Sequence, residues 1–193
     1  MASLNDLMIL TTLFLSLSLN SASPSVSPNP KKFPTNNLLE TTCKKTGEFY
    51  TLCMEILESN PETSSAASNS LDLAEATLKF VAVETQIASK KLRVLLKRKI
   101  TQHGLSKAFE ICVDWYDRAA GQLNTSSKEL KEDPASANYD AALALADSHE
   151  SADCENALAS AGVHVPEIEA MIKRLRCLCT IAHAVTVALP QEY

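Results

Sequence analysis

The clearest signal along the chain is a recurrence of apolar or small residues at alternating steps of three and four. One such run is Leu71, Ala74, Leu78, Val81, Thr85, Ala88, Leu92 and Leu95. Residues at those offsets share one face of a helix, so the run predicts an amphipathic helix with an inward seam. Ser68, Asn69 and Ser70 offer side-chain oxygens to cap its start, and Gly104 is placed to end it. A second run is Leu105, Ala108, Cys112, Trp115, Ala119, Leu123, Ser126 and Leu130, with Gly121 as a mild cost inside it. Asp133-Pro134 then stops one helix and starts another, with Asp as N-cap and Pro in the first helical position. A third run uses Ala141, Leu145, Ala152 and Leu158 and ends at Gly162. A fourth begins at Pro166 and takes Ile168, Ile172, Leu175, Cys179, Ala182, Thr186 and Leu189. Four helices of about 25 residues with short connections pack as an up-and-down antiparallel bundle. Period-two alternation is missing, so an all-α fold without a sheet is expected.

Ahead of this bundle (68–190), residues 36–60 read as a smaller unit. Asn37 to Cys43 and Phe49 to Met54 flank Lys45-Thr46-Gly47, which suggests a helical hairpin closed by Cys43 and Cys53. Closing so short a loop contributes roughly 2–3 kcal/mol on the chain-entropy model. Asn60-Pro61 begins the link to the bundle.

The N-terminus differs in kind. Residues 7–19 form an apolar run too short for a comfortable membrane span, followed by the small residues Ser21, Ala22 and Ser23. Residues 1–22 are therefore expected to be a secretory signal peptide, although no Lys or Arg precedes the run. Residues 23–35, with Pro24, Pro28, Pro30 and Pro34, are expected to be a flexible Pro/Ser-rich segment.

Composition narrows the function classes. Four glycines in 193 residues argue against a turn-rich β fold. A formal charge of −5 argues against nucleic acid as a partner, since phosphate binding wants a strongly basic face. A secretory route makes the six cysteines disulfide candidates, and it makes the sequon Asn124-Thr125-Ser126 a glycosylation candidate. Six cysteines allow many pairings. Cys112 and Cys179 lie on inward seams. Cys177 and Cys179 point too far apart around one helix to bridge each other. A Cys112–Cys154 bridge would staple the second bundle helix to the third, leaving Cys179 buried and Cys177 off the seam.

No catalytic constellation emerges. His103, His149, His164 and His183 sit in no tight metal spacing, and Cys179 with His183 supplies only two ligands. Nucleophile elbows and phosphate-cradling glycine loops are lacking. Asp114 and Asp117 beside Trp115 and Tyr116 read as a solvated helix face next to core aromatics. The basic cluster Lys90, Lys91, Arg93, Lys97, Arg98 and Lys99 reads as a dipole-complementing helix end or as a surface for an anionic partner. No enzyme activity, cofactor or metal is expected. The remaining classes are a protein inhibitor, an extracellular ligand, or a carrier, and the filled seams leave little hollow for a cargo.

Several segments resemble the plant invertase and pectin methylesterase inhibitor family. They are Leu39-Glu40-Thr41-Thr42-Cys43-Lys44-Lys45-Thr46, Phe49-Tyr50-Thr51-Leu52-Cys53, the stretch around Cys112 from Ala108 to Asp117, and Ala152-Asp153-Cys154-Glu155-Asn156. The resemblance covers residues 36–190. It implies a four-helix bundle with a disulfide-closed N-terminal hairpin, and pairing of Cys43 with Cys53 and of Cys112 with Cys154. It implies a secreted monomer of the cell wall or vacuole that inhibits acid invertase or pectin methylesterase by a stoichiometric complex. Val165-Pro166-Glu167-Ile168 and Leu175-Arg176-Cys177-Leu178-Cys179 resemble the cell wall and vacuolar inhibitors of fructosidase, which puts acid invertase first as the expected target and pectin methylesterase second. Invertase inhibitors of the family carry a Pro-Lys-Phe element before the third bundle helix. The matching place here, the expected partner-binding loop, reads Asp133-Pro134-Ala135-Ser136 and keeps only the proline.

Overall fold

The computed structural model describes residues 37–99, 103–149, 152–162 and 164–189. The expected signal peptide (1–22) and Pro/Ser-rich segment (23–35) lie outside them. The described chain is helical, with no strand among the described residues.

Helix α1 (Asn37–Lys44), a 3₁₀ turn (Gly47–Phe49) and α2 (Tyr50–Ser59) form the N-terminal hairpin. Gly47 carries φ +59° at the reversal, a left-handed conformation that a side chain resists. The short helix α3 (Pro61–Ala66) follows, and Asn60 caps it, its Oδ1 accepting from the N–H groups of Glu62 (2.9 Å) and Thr63 (3.1 Å). Asn60-Pro61 therefore starts a helix rather than a bare link.

The bundle comprises α4 (Ser70–Lys99), α5 (His103–Glu129), α6 (Pro134–His149), α7 (Ala152–Ser160) and α8 (Pro166–Thr186). Around the bundle, α4 packs on α5 and α8, α6 on α5 and α8, and α7 on α5, while the hairpin helices rest on α8. Asn69 caps α4, accepting from the N–H groups of Leu71 (2.8 Å) and Asp72 (3.1 Å). Ala74, Leu78, Val81, Thr85 and Leu92 are fully buried, as the seam requires. Leu71 itself is 41% exposed, and Leu73, one step round the first turn, takes the core position.

Two expectations need correcting. The third run does not keep one buried face: α6 buries Ala137, Ala141, Ala144 and Ser148, whereas Ala152, at the start of α7, is exposed and Cys154 and Leu158 are buried there. Gly104 does not cap α4 but sits in the first turn of α5. Gly162, at φ +67°, does follow α7 as expected.

Helix α6 buries only small side chains, Ala137, Ala141, Ala144 and Ser148. Such residues bring backbones close but bury little apolar area. Polar ties hold the helix instead. Ser126 Oγ of α5 donates to the Ala137 carbonyl (2.7 Å), Trp115 Nε1–H donates to the Asp147 carbonyl, and Thr186 Oγ1 of α8 donates to Asn138 Oδ1 (3.0 Å). The core is continuous from Leu39, Ile56 and Leu57 in the hairpin to Leu123, Ile172 and Ile181 in the bundle.

Candidate functional site

Cys43 and Cys53 are bridged with Cα atoms 5.5 Å apart, and Cys112 and Cys154 with Cα atoms 4.7 Å apart. The first bridge closes the hairpin, and the second ties α7 to α5. Cys177 and Cys179 are free and both buried. Cys177 was expected off the seam, but α8 contacts the hairpin as well as the bundle, so it is covered on more than one side. Burial pushes the Cys177 thiol up to about 12 and the Cys179 thiol further still, so both stay protonated and unreactive.

The loop Asp133–Ser136 is a tight helix cap. Asp133 Oδ1 accepts from the N–H groups of Ala135 (3.1 Å) and Ser136 (3.0 Å), and Oδ2 accepts from Ser136 Oγ (2.7 Å). Those bonds, the backbone one from Ser136 first, hold the Asp133 carboxyl below its ordinary range. Pro134 is half-buried and Ala135 offers only a methyl. The loop thus projects no cation and no aromatic ring.

Asn124 lies well inside α5, half-buried. Ser126, the third residue of its sequon, is fully buried with its hydroxyl engaged on Ala137. In the folded chain the serine of the sequon is thus engaged inside the bundle, while Asn124 keeps part of its surface exposed.

The charged groups serve packing between helices. Asp117 accepts from Ser89 Oγ and pairs with Arg93, joining α5 to α4, and Asp114 pairs with Arg118 on its own helix (2.7 Å). Asp117 is therefore an inter-helix tie rather than a solvated face. Within the basic cluster Lys91 pairs with Glu167 (2.8 Å) and Arg93 with Asp117, while Lys90 and Lys97 are exposed with no acidic partner among the described residues. Arg98 and Lys99 fall outside the described side chains.

His164 Nδ1 pairs with Glu169 (2.6 Å), and burial alone lowers the pKa of His183. No group of three potential metal ligands occurs among the described residues. The largest cleft described, about 560 Å³ and open to solvent, lies between α5 and α7 over Ile111 and Trp115. Its rim carries Lys107, Glu110, Asp114, Arg118 and Asp153, with Asp114 held by Arg118. What remains is surface, on which sequence reasoning overlooked two features. Tyr139 of α6 is 64% exposed, and Val83, Ile87 and Val94 of α4 are about half exposed.

The family model for plant invertase/pectin methylesterase inhibitor matches residues 37–185. The chain belongs to this family. It is accordingly an enzyme inhibitor rather than an enzyme. Two solved structures share the fold. One is mutant form A of a pectin methylesterase inhibitor from Arabidopsis, 24% identical, covering 80% of this chain and 98% of that one, with a TM-score of 0.66. The other is a pectin methylesterase inhibitor from Arabidopsis thaliana, 23% identical, covering 80% of this chain and 97% of that one, with a TM-score of 0.56. No curated protein sequence matches the chain. No described helix is long and apolar enough to cross a membrane.

Proposed function

We propose that this inhibitor is secreted and acts on pectin methylesterase through a stoichiometric complex. The carrying observation is the loop Asp133–Ser136. The expected invertase plug needs a lysine and a phenylalanine at this point, and here the carboxylate folds back to cap α6. A loop engaged in this way has nothing to insert into a fructoside-binding site. A target gripped by helix faces makes no such demand. The fold shared with two pectin methylesterase inhibitors supports the same reading.

The test is titration of the purified chain against pectin methylesterase and acid invertase at acidic pH. Pectin methylesterase activity is expected to fall to its floor at about one equivalent. Loss of invertase activity alone would overturn the proposal. Ala135→Lys, at an exposed position of this first turn, should leave esterase inhibition within about twofold.

Acid invertase remains the second reading. Val165-Pro166-Glu167-Ile168 and the segment with Cys177 and Cys179 resemble fructosidase inhibitors. Both segments belong to the start and body of α8, so they would favour invertase through a surface other than the Asp133 loop.

A further inference from the structure

The solvent side of α4 carries an ordered apolar stripe. Phe80, Val83, Ile87, Lys90, Val94 and Lys97 follow one another at steps of three, four, three, four and three. This is the heptad spacing of a helix seam. It runs opposite the buried seam of Leu78, Val81, Thr85 and Leu92, so α4 is apolar on two faces. Val83 is 56% exposed, Ile87 55% and Val94 47%, and Phe80 is half-buried. An aliphatic seam at heptad positions fits a second helix better than it fits a flat surface or a polysaccharide.

Charge selects among helices. On one flank Glu84 and Lys91 are neutralised by Arg174 and Glu167 of α8, each at 2.8 Å. Lys90 and Lys97, in the stripe itself, have no acidic partner among the described residues. A second copy of the chain, laid antiparallel, would bring Lys90 beside its own mate. The chain's own segment before the hairpin brings Lys31 and Lys32. Both carry the wrong sign. The stripe is also about 25 Å long, which is short of what a stable homodimer buries. We infer that the outer face of α4 docks an acidic amphipathic helix of a protein other than the target enzyme.

The probe is a three-heptad peptide with Leu at the a and d positions and Glu at the flanking e and g positions, and its twin has Lys for Glu. The full chain, as processed by a secretory host, is titrated with each by fluorescence anisotropy. The acidic peptide is expected to bind at least tenfold more tightly than the twin. Ile87→Asp should weaken it at least tenfold, and K90E/K97E should reverse the preference for the acidic peptide. Equal binding of both peptides, or binding of neither, would overturn the proposal. So would a concentration-dependent dimer that Ile87→Asp dissolves. Ile87 is half exposed, so a native circular dichroism spectrum and unchanged enzyme inhibition are expected of that variant. Loss of inhibition in Ile87→Asp would overturn the proposal by assigning the stripe to the target enzyme. Failure of the wild-type chain to inhibit any enzyme would count against the functional reading alone.

Discussion

The hairpin and the bundle are each stapled by one disulfide, yet the two bridges do different work. Cys43–Cys53 spans 10 residues and Cys112–Cys154 spans 42. On the chain-entropy model they contribute about 3 and about 4 kcal/mol. The hairpin adds few apolar side chains to the core, chiefly Leu39, Ile56 and Leu57, whereas the bundle buries large ones along all of α5 and α8. The smaller bridge therefore carries the larger share of its region's stability. A staple matters most where burial is thinnest, whatever its absolute contribution.

The largest expected effect tests the bundle side. C112A/C154A should lower the unfolding free energy by about 4 kcal/mol, read as a shift in urea midpoint at constant slope. C43A/C53A should cost about 3 kcal/mol, but most of it locally. Hydrogen exchange should quicken across residues 37–59 while the bundle midpoint moves little. If both double variants shift the global midpoint equally, hairpin and bundle are one cooperative unit and the contrast fails. Gly47→Ala should destabilise the hairpin by about 1 kcal/mol, because a side chain resists φ +59°. Asn69→Ala removes the acceptor for two N–H groups at the start of α4 and should cost about 1 kcal/mol in the bundle transition.

The smallest effect is that of pH. Burial disfavours the charged imidazole of His183, so its folded pKa lies below the ordinary 6.5. The unfolded chain takes up the proton first as pH falls. Stability is therefore full above about pH 6.5 and declines below it. His183→Gln should flatten that decline in a series of thermal melts. Asp133 runs the same way in stronger acid: its folded pKa is also lowered, so the unfolded chain takes up the proton first and the cap is lost as the carboxyl protonates.

Much of the bundle was legible because α4, α5 and α8 place large apolar side chains against polar ones at helical spacing. The change of buried face between α6 and α7 was not legible. Alanine at positions 135, 137, 141, 142, 144, 146 and 152 gives every face the same weight, so the pattern does not say which side turns inward. What fixes α6 is the set of hydroxyl, indole and amide bonds to Ala137, Asp147 and Asn138, which a hydrophobic pattern does not register. Asn60-Pro61 and Asp133-Pro134 carry the same cap-then-proline signal, and only the one followed by an apolar run was read as a helix start. The outer stripe of α4 was hidden by the stronger seam on its other face. On the candidate site, the sequence located the Asp133 loop and its capping aspartate, and the hydrogen bonds show that both carboxylate oxygens are engaged on the first turn of α6.

The buried thiols of α8 bear on how the molecule is made. In an oxidising compartment every newly exposed cysteine competes to be joined, and Cys177 and Cys179 would trap the chain if they captured Cys43 or Cys112. Synthesis runs from the N-terminus, so the hairpin pair emerges first, the α5 and α7 pair next, and the two thiols last. By then their four competitors can already be committed. Once α8 is seated, both sulfurs are out of reach of solvent. In such a compartment the order of the cysteines along the chain would let the four bridging residues pair before the two thiols of α8 arrive.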